Sequence, residues 1–407
     1  MQTWRVIRAL VMVAWFLNHW QASAQLDPTT RNLIQLGYNQ PLRGSAPMAG
    51  YAFYYWNKPG FLRTNLTMRV AIAPVYLDAE LGIREALGAN TDVGIGVAGG
   101  GFAETYSEMR NGNYIHEESF TGHEIDGSLS VYHLFNPAQQ IPLYGLLRAS
   151  VHRAFYGRDN ATAPGFKIPT DRDTLVTRAG LRWGGNEPVL VPNAGLELSV
   201  WHEGYFRDHG QNYGYNQDRR IEANSHRFWG RALLANTFDD GLHFNVHVTV
   251  GTCLNPDRFS AYRLGSYLPF TSEFPLSIPG YNFQELSARN FANLGAMVMV
   301  PLCESRRWSV LGSVDSAVID YAPGQAQNGH WNSGVGGGLA YESASHGFQV
   351  IVSYGYGINA IRHGQHGGHS VCVLAQWDLE KARPALLDPA NNPLRSRFLN
   401  NFLQRMF

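Results

Sequence analysis

Beyond residue 24, no stretch of this chain approaches the ~18 consecutive apolar residues that a membrane-spanning helix needs. Short segments instead alternate apolar and polar side chains and break at Gly, Pro, Asn or Asp. In 243–250, Phe244, Val246, Val248 and Val250 occupy one face and His243, Asn245, His247 and Thr249 the other. In 348–360, Phe348, Val350, Val352, Tyr354, Tyr356 and Ile358 share a face, opposite Gln349, Ser353, Gly355, Gly357 and Asn359. A period of two cannot line one side of a helix, so these segments read as strands. Fifteen are visible: 50–57, 65–76, 79–86, 91–103, 125–131, 143–154, 174–183, 194–203, 226–236, 243–250, 289–302, 308–320, 331–342, 348–360 and 371–379. Their number, length and spacing are those of a transmembrane β-barrel, apolar toward lipid and polar toward the lumen. Single-chain bacterial barrels have an even strand number. The expectation is therefore an all-β antiparallel barrel of sixteen strands, with fourteen as the alternative.

Composition agrees and excludes other classes. Only 16% of the residues are charged, against about 25% in typical soluble domains. Aromatics make up 13%, which rules out a disordered chain. Lys and Arg balance Asp and Glu at 32 each, so no basic field addresses nucleic acid. Three cysteines cannot build a disulfide framework. The string Gly94-Ile95-Gly96-Val97-Ala98-Gly99 matches a dinucleotide-binding fingerprint. That fingerprint needs a helix after it; Gly100, Gly101 and a further polar strand follow, so it reads as a glycine-rich wall strand.

The termini set the organisation. Arg5 and Arg8, the apolar run 9–16 and Ala22-Ser23-Ala24 form a secretory signal peptide, 1–24, cleaved after Ala24. Residues 25–48, with Pro28, Pro41 and Pro47, read as an irregular N-terminal segment, and 49–380 as the barrel. In 381–407, Pro384, Pro389 and Pro393 stiffen a linker. Leu399, Phe402, Leu403 and Met406 then take helical spacing, which predicts a short helical tail on the periplasmic side.

Little in the sequence suggests a reaction. No G-x-S-x-G elbow or H-E-x-x-H string occurs, and no cofactor is implied. His363, His366 and His369 recur in a glycine-rich hairpin, but a metal site wants further ligands in fixed geometry, so they are weak metal candidates. Arg178 and Arg182 fall on a predicted lumen face, as do Glu124 and Asp126. Opposite charges inside a barrel brace its wall and tune ion selectivity.

The last third of the chain carries a resemblance. Arg263-Leu264-Gly265-Ser266 opens a long connection that ends at Pro279-Gly280-Tyr281; a strand to Leu302 follows, and then Gly312-Ser313-Val314-Asp315. This order resembles the BamA-like surface-antigen barrels, which assemble or translocate proteins at bacterial outer membranes. The resemblance implies sixteen strands and a loop, here 264–281, folded into the lumen as a gate. In that family an Arg-Gly-aromatic tip pairs its Arg with an inward Asp on the strand after next. Gly280 and Tyr281 match the tip and Asp315 the Asp, but Pro279 stands at the Arg position. Either Arg263 or Arg289 replaces it, or the lock is absent. The loop-positioning residues expected on this basis are Arg263, Gly265, Pro279, Gly280, Tyr281 and Asp315. The family's periplasmic receptor repeats find no counterpart in 25–48.

The expected role is passage or insertion of material at the bacterial outer membrane, in contact with its lipid and with a periplasmic protein as a candidate partner, without nucleic acid and without enzymatic activity. Two other readings compete. A porin-like diffusion channel predicts an open bore, and a lipase or protease working at the barrel rim predicts a Ser/His/Asp cluster there.

Overall fold

The computed structural model describes residues 29–382. The expected signal peptide and most of the expected tail lie outside them. Sixteen antiparallel strands form the wall: β1 (Arg31–Pro41), β2 (Ala49–Pro59), β3 (Leu66–Ala73), β4 (Tyr76–Ile83), β5 (Thr91–Gly100), β6 (Thr121–Leu134), β7 (Leu143–Gly157) and β8 (Arg172–Gly185) make the first half. The second half is β9 (Ala194–Arg207), β10 (Asn224–Thr237), β11 (His243–Leu254), β12 (Leu286–Pro301), β13 (Trp308–Tyr321), β14 (Trp331–Glu342), β15 (Phe348–Arg362) and β16 (Gln365–Asp378). Each strand pairs with its chain neighbours, and β1 pairs with β16 from Leu33↔Asp378 to Pro41↔Ser370, which closes the barrel. A short extra strand, Tyr262–Leu264, pairs with the start of β12.

The barrel starts earlier than the sequence suggested. Residues 31–41, expected to be irregular, are β1. Ile34, Leu36 and Tyr38 alternate there with the buried Gln35, Gly37 and Asn39. Of the three prolines that argued against a strand, Pro28 lies outside the described residues, while Pro41 ends the strand and Pro47 follows it, where proline costs no ladder hydrogen bond. At the other end the wall stops at Asp378, and a single helical turn covers 379–382.

The outer face is apolar on strand after strand. Ile125, Leu129, Leu147, Val151, Leu198 and Val200 are each more than half exposed. Trp183, Trp308 and Trp331 are exposed near strand ends. A continuous apolar band of this extent is untenable in water and suits hydrocarbon, with the aromatic rings at the interfaces. Among the described residues no helix is long and apolar enough to cross a membrane. The two rims differ. One carries long connections: 101–120, 158–171, 208–223, 255–285 and 322–330. The other carries turns of eight residues or fewer, such as 186–193 and 302–307. Short turns mark the periplasmic rim and long loops the outer one.

Candidate functional site: an occluded lumen

The connection between β11 and β12 folds inward and crosses the bore. Its root is fixed where Tyr262–Leu264 pairs with Leu286–Ala288 and where Gly265 and Ser277 form a parallel bridge. From there the loop meets the wall at three places.

The first contact is electrostatic. Glu273 of the loop pairs with Arg178 at 3.0 Å and also with Arg182, both inward on β8. Arg178 also binds Glu203 of β9 at 2.7 Å, and Arg182 lies 3.6 Å from Glu197. Phe274 stacks beside Glu273 against Trp201 and Trp229, with Arg182 over its ring. The second contact is apolar. Leu268 and Phe270 pack with inward residues of β2 and β12–β16, and the Cys372 thiol donates to the Tyr267 carbonyl.

The third contact seats the tip Pro279-Gly280-Tyr281 on β14–β16, across the barrel from β8. Glycines make this possible. A Cβ on Gly334 would stand 2.1 Å from the Pro279 carbonyl oxygen, and one on Gly355 would stand 2.6 Å from the Gly280 nitrogen. Gly280 itself has φ of +81° and lies against the Gly357 backbone, where a side chain would meet both strain and steric overlap. Tyr281 is buried, and its hydroxyl donates to Asn332 at 3.1 Å.

The ion pair that fastens this tip is not the expected one. Asp315 faces the lumen, but the ionisable side chain beside it is His247 of β11, at 3.6 Å. Arg263 instead reaches the Ser107 carbonyl and lies over the Tyr106 ring, and Arg289 is exposed on β12. No Arg–Asp315 lock forms among the described residues. The pair that forms reverses the polarity. Arg362, from the wall, binds Glu285, from the loop, through two hydrogen bonds of 2.7 and 2.8 Å. It also donates to the Gly280 carbonyl at 3.2 Å. Both partners are almost fully buried. A register shift between Gly357 and Ile361 turns Arg362 inward, since strict alternation from Gly355 and Gly357 would send it to the lipid face. The Asn111-Gly112 turn of loop 101–120 lies over the pair, with Asn282 donating to the Gly112 carbonyl.

Two further pieces complete the closure. At the periplasmic rim the turn 186–193 rises into the bore. Leu190 joins the Leu268 cluster, and its amide donates to Gln376 of β16. Gln35 of β1 donates to both the Pro188 carbonyl and Gln376, so this turn braces the β1–β16 seam from inside. At the outer rim, Tyr106, Phe120, Phe166, Tyr213 and Ile221 form an aromatic cap. Within it Glu108 is fully buried and takes Arg258 at 3.1 Å and Arg219 at 3.4 Å. Burial opposes ionisation of Glu108, but the Arg258 and Arg219 guanidiniums outweigh it and hold the carboxyl below the usual range. Burial likewise pushes Asp257 up, and Arg207 together with backbone amides brings it below normal.

Glu124 and Asp126 face the lumen on β6, beside a cavity of about 220 Å³. The histidine hairpin is tighter than its sequence suggested. His363-Gly364 is a two-residue turn with φ of +51° and +78°, His366 lies near the Asn359 carbonyl and His369 contacts Tyr354. These three imidazoles do not converge.

No family model and no curated protein matches the sequence. Solved structures match the fold. CdiB from Escherichia coli aligns at 13% identity with a TM-score of 0.56, over 86% of this chain and 63% of that one. CdiB from Acinetobacter baumannii aligns at 11% identity and 0.54, over 86% and 60%. BamA from Haemophilus ducreyi lacking POTRA domains 1–3 aligns at 8% and 0.52, over 86% and 71%. The chain thus spans about three fifths of the length of the CdiB chains it matches. At these identities the likeness is one of fold: a closed sixteen-stranded antiparallel barrel.

Proposed function

We propose that this protein is an outer-membrane barrel that mediates passage or insertion of material at that membrane and rests in a closed state, with loop 265–285 as its gate. The observation that supports this reading is the occlusion itself. One loop touches β8–β10, β2 and β14–β16 at once, and a periplasmic turn meets it from below. A diffusion channel gains nothing from a plug anchored by ion pairs on opposite walls, one of them fully buried. A barrel that opens only for a particular client needs one. The shared fold with CdiB and BamA fits the same role, and a periplasmic partner is the natural source of the opening signal. A rim enzyme draws less support, because the polar groups at the outer rim are engaged in Arg–carboxylate pairs rather than set around a nucleophile.

The test is single-channel recording after the mature chain is refolded into planar bilayers. The reading predicts small or flickering current, and a much larger steady conductance once the loop anchors are removed in Glu273→Gln/Glu285→Gln. A large steady conductance in the wild type would assign the protein to the porin class instead.

A further inference from the structure

One polar cluster takes no part in the plug. Glu104 lies near the root of loop 101–120, Glu124 on β6 and His152 on β7. Each can offer one ligand atom, and the three atoms lie within 4.8 Å of one another, the only such trio among the described residues. His152 Nε2 stands 3.6 Å from Glu104 and its Nδ1 3.8 Å from Glu124. Chain geometry fixes all three. His152 sits opposite Asp126 in the β6–β7 register, so Glu124 is its diagonal neighbour on the same inward face. The Glu104 amide donates to the Gly122 carbonyl, and a Cβ on Gly122 would stand 2.3 Å from the Glu104 oxygen. The loop root is therefore pressed against β6.

The charge balance here differs from that in the rest of the lumen. Elsewhere carboxylates meet guanidiniums: Glu80 meets Arg69 and Arg148, Glu203 meets Arg178 and Arg227, and Glu285 meets Arg362. Around His152, the carboxylates of Glu104, Glu124 and Asp126 face one imidazole. The guanidiniums that line the same cavity are already engaged, Arg69 by Asp78 and Glu80, Arg148 by Glu80 and Ser130, and Arg178 by Glu203 and Glu273. Two carboxylates and an imidazole, with an excess of negative charge beside them, are the donor set of a borderline divalent ion. A Ca²⁺ or Mg²⁺ cage uses oxygens alone.

We propose that Glu104, Glu124 and His152 bind a borderline divalent metal ion of the zinc class, joining loop 101–120 to the inside of the wall. The ion takes three protein ligands and leaves a position for water. The consequence reaches the plug, because the same loop carries Ser107, Glu108 and Gly112, the partners of Arg263, Arg258 and Asn282. The metal tightens the cover over the gate from a point outside it. This inference stands independently of the passage reading.

Calorimetric titration of the refolded mature chain with Zn²⁺ in detergent tests it. The expected result is one saturable site per chain, weakened by more than roughly tenfold in His152→Ala and in Glu104→Gln, since even an outer-sphere partner costs that much. Glu104→Gln lies on the loop and spares the wall, so it gives a reading even if the wall variant refolds poorly. Zn²⁺ should also raise the temperature at which the folded band is lost on gels, in the wild type and not in either variant. The variant His363→Ala/His366→Ala/His369→Ala should bind like the wild type. Absence of a saturable site, or a site that survives both Glu104→Gln and His152→Ala, overturns the proposal.

Discussion

Arg362 and Glu285 are 77 residues apart in sequence, and neither sits in a motif. The two charges are nearly removed from solvent and satisfy each other through two parallel hydrogen bonds. Removing one partner of such a pair leaves a buried charge uncompensated, which costs about 3–5 kcal/mol. Arg362→Ala should therefore lower the denaturant midpoint of the refolded barrel, and Glu285→Gln should lower it less, because the amide still accepts from the guanidinium. Combining Arg362→Leu with Glu285→Gln should recover part of the loss. Equal midpoints for wild type and Arg362→Ala would mean that the pair does not hold the loop. The sequence placed Gly280 and Tyr281 at a loop tip but could not supply this partner. It offered Asp315 as the acid and Arg263 or Arg289 as the base. The register shift before Ile361 decides otherwise, and nothing in a pattern of alternating residues announces a bulge.

At the level of elements, alternation made fifteen of the sixteen wall strands readable, because each has one face in lipid and one in the lumen. The missed strand, β1, alternates just as clearly, with Ile34, Leu36 and Tyr38 against Gln35, Gly37 and Asn39. Flanking prolines masked it, and only its pairing to both β2 and β16 shows its place. The glycines of β14–β16 stand plainly in the sequence, yet nothing there announces their use. They flatten the inner wall so that the backbone of the loop tip can lie directly on it. Gly334→Val should expel the tip, because its Cβ would stand 2.1 Å from the Pro279 carbonyl oxygen. The measured outcome is a higher mean conductance with the barrel still resistant to heat in detergent. Gly312→Ala, on the outer face of β13 with no atom within 4 Å of the added Cβ, should leave conductance unchanged. Equal currents in the two variants would show that tip seating does not control the bore.

For the whole molecule, closure rests on one seam unlike the others. Every other neighbouring pair of wall strands is joined by a connection in the chain, whereas β1 and β16 are held together by their ladder alone. The seam is reinforced from within by a turn that starts on the far side of the barrel. Pro188 and Leu190 engage Gln35 and Gln376, and Glu187 meets Arg31 at 3.3 Å. The inward loop and the seam are thus mechanically linked, since Leu190 packs in the same cluster as Leu268 of that loop. A displacement of the loop that draws Leu190 with it withdraws the brace on the seam. On the proposed reading, passage along the bore and release sideways into lipid make opposite demands on this strand pair. Gln35 and Gln376 are direct register partners, and neighbouring antiparallel residues lie within the ~4.4–6.8 Å Cα separation of a disulfide. In a background with Cys253, Cys303 and Cys372 replaced, Gln35→Cys/Gln376→Cys should crosslink the seam. If material leaves sideways, oxidised cells should lose the protein's activity and regain it on adding a reductant, with the conductance of the purified barrel unaltered. If material travels through the bore, activity should survive the crosslink, and removing the Glu273 and Glu285 anchors should be what alters it.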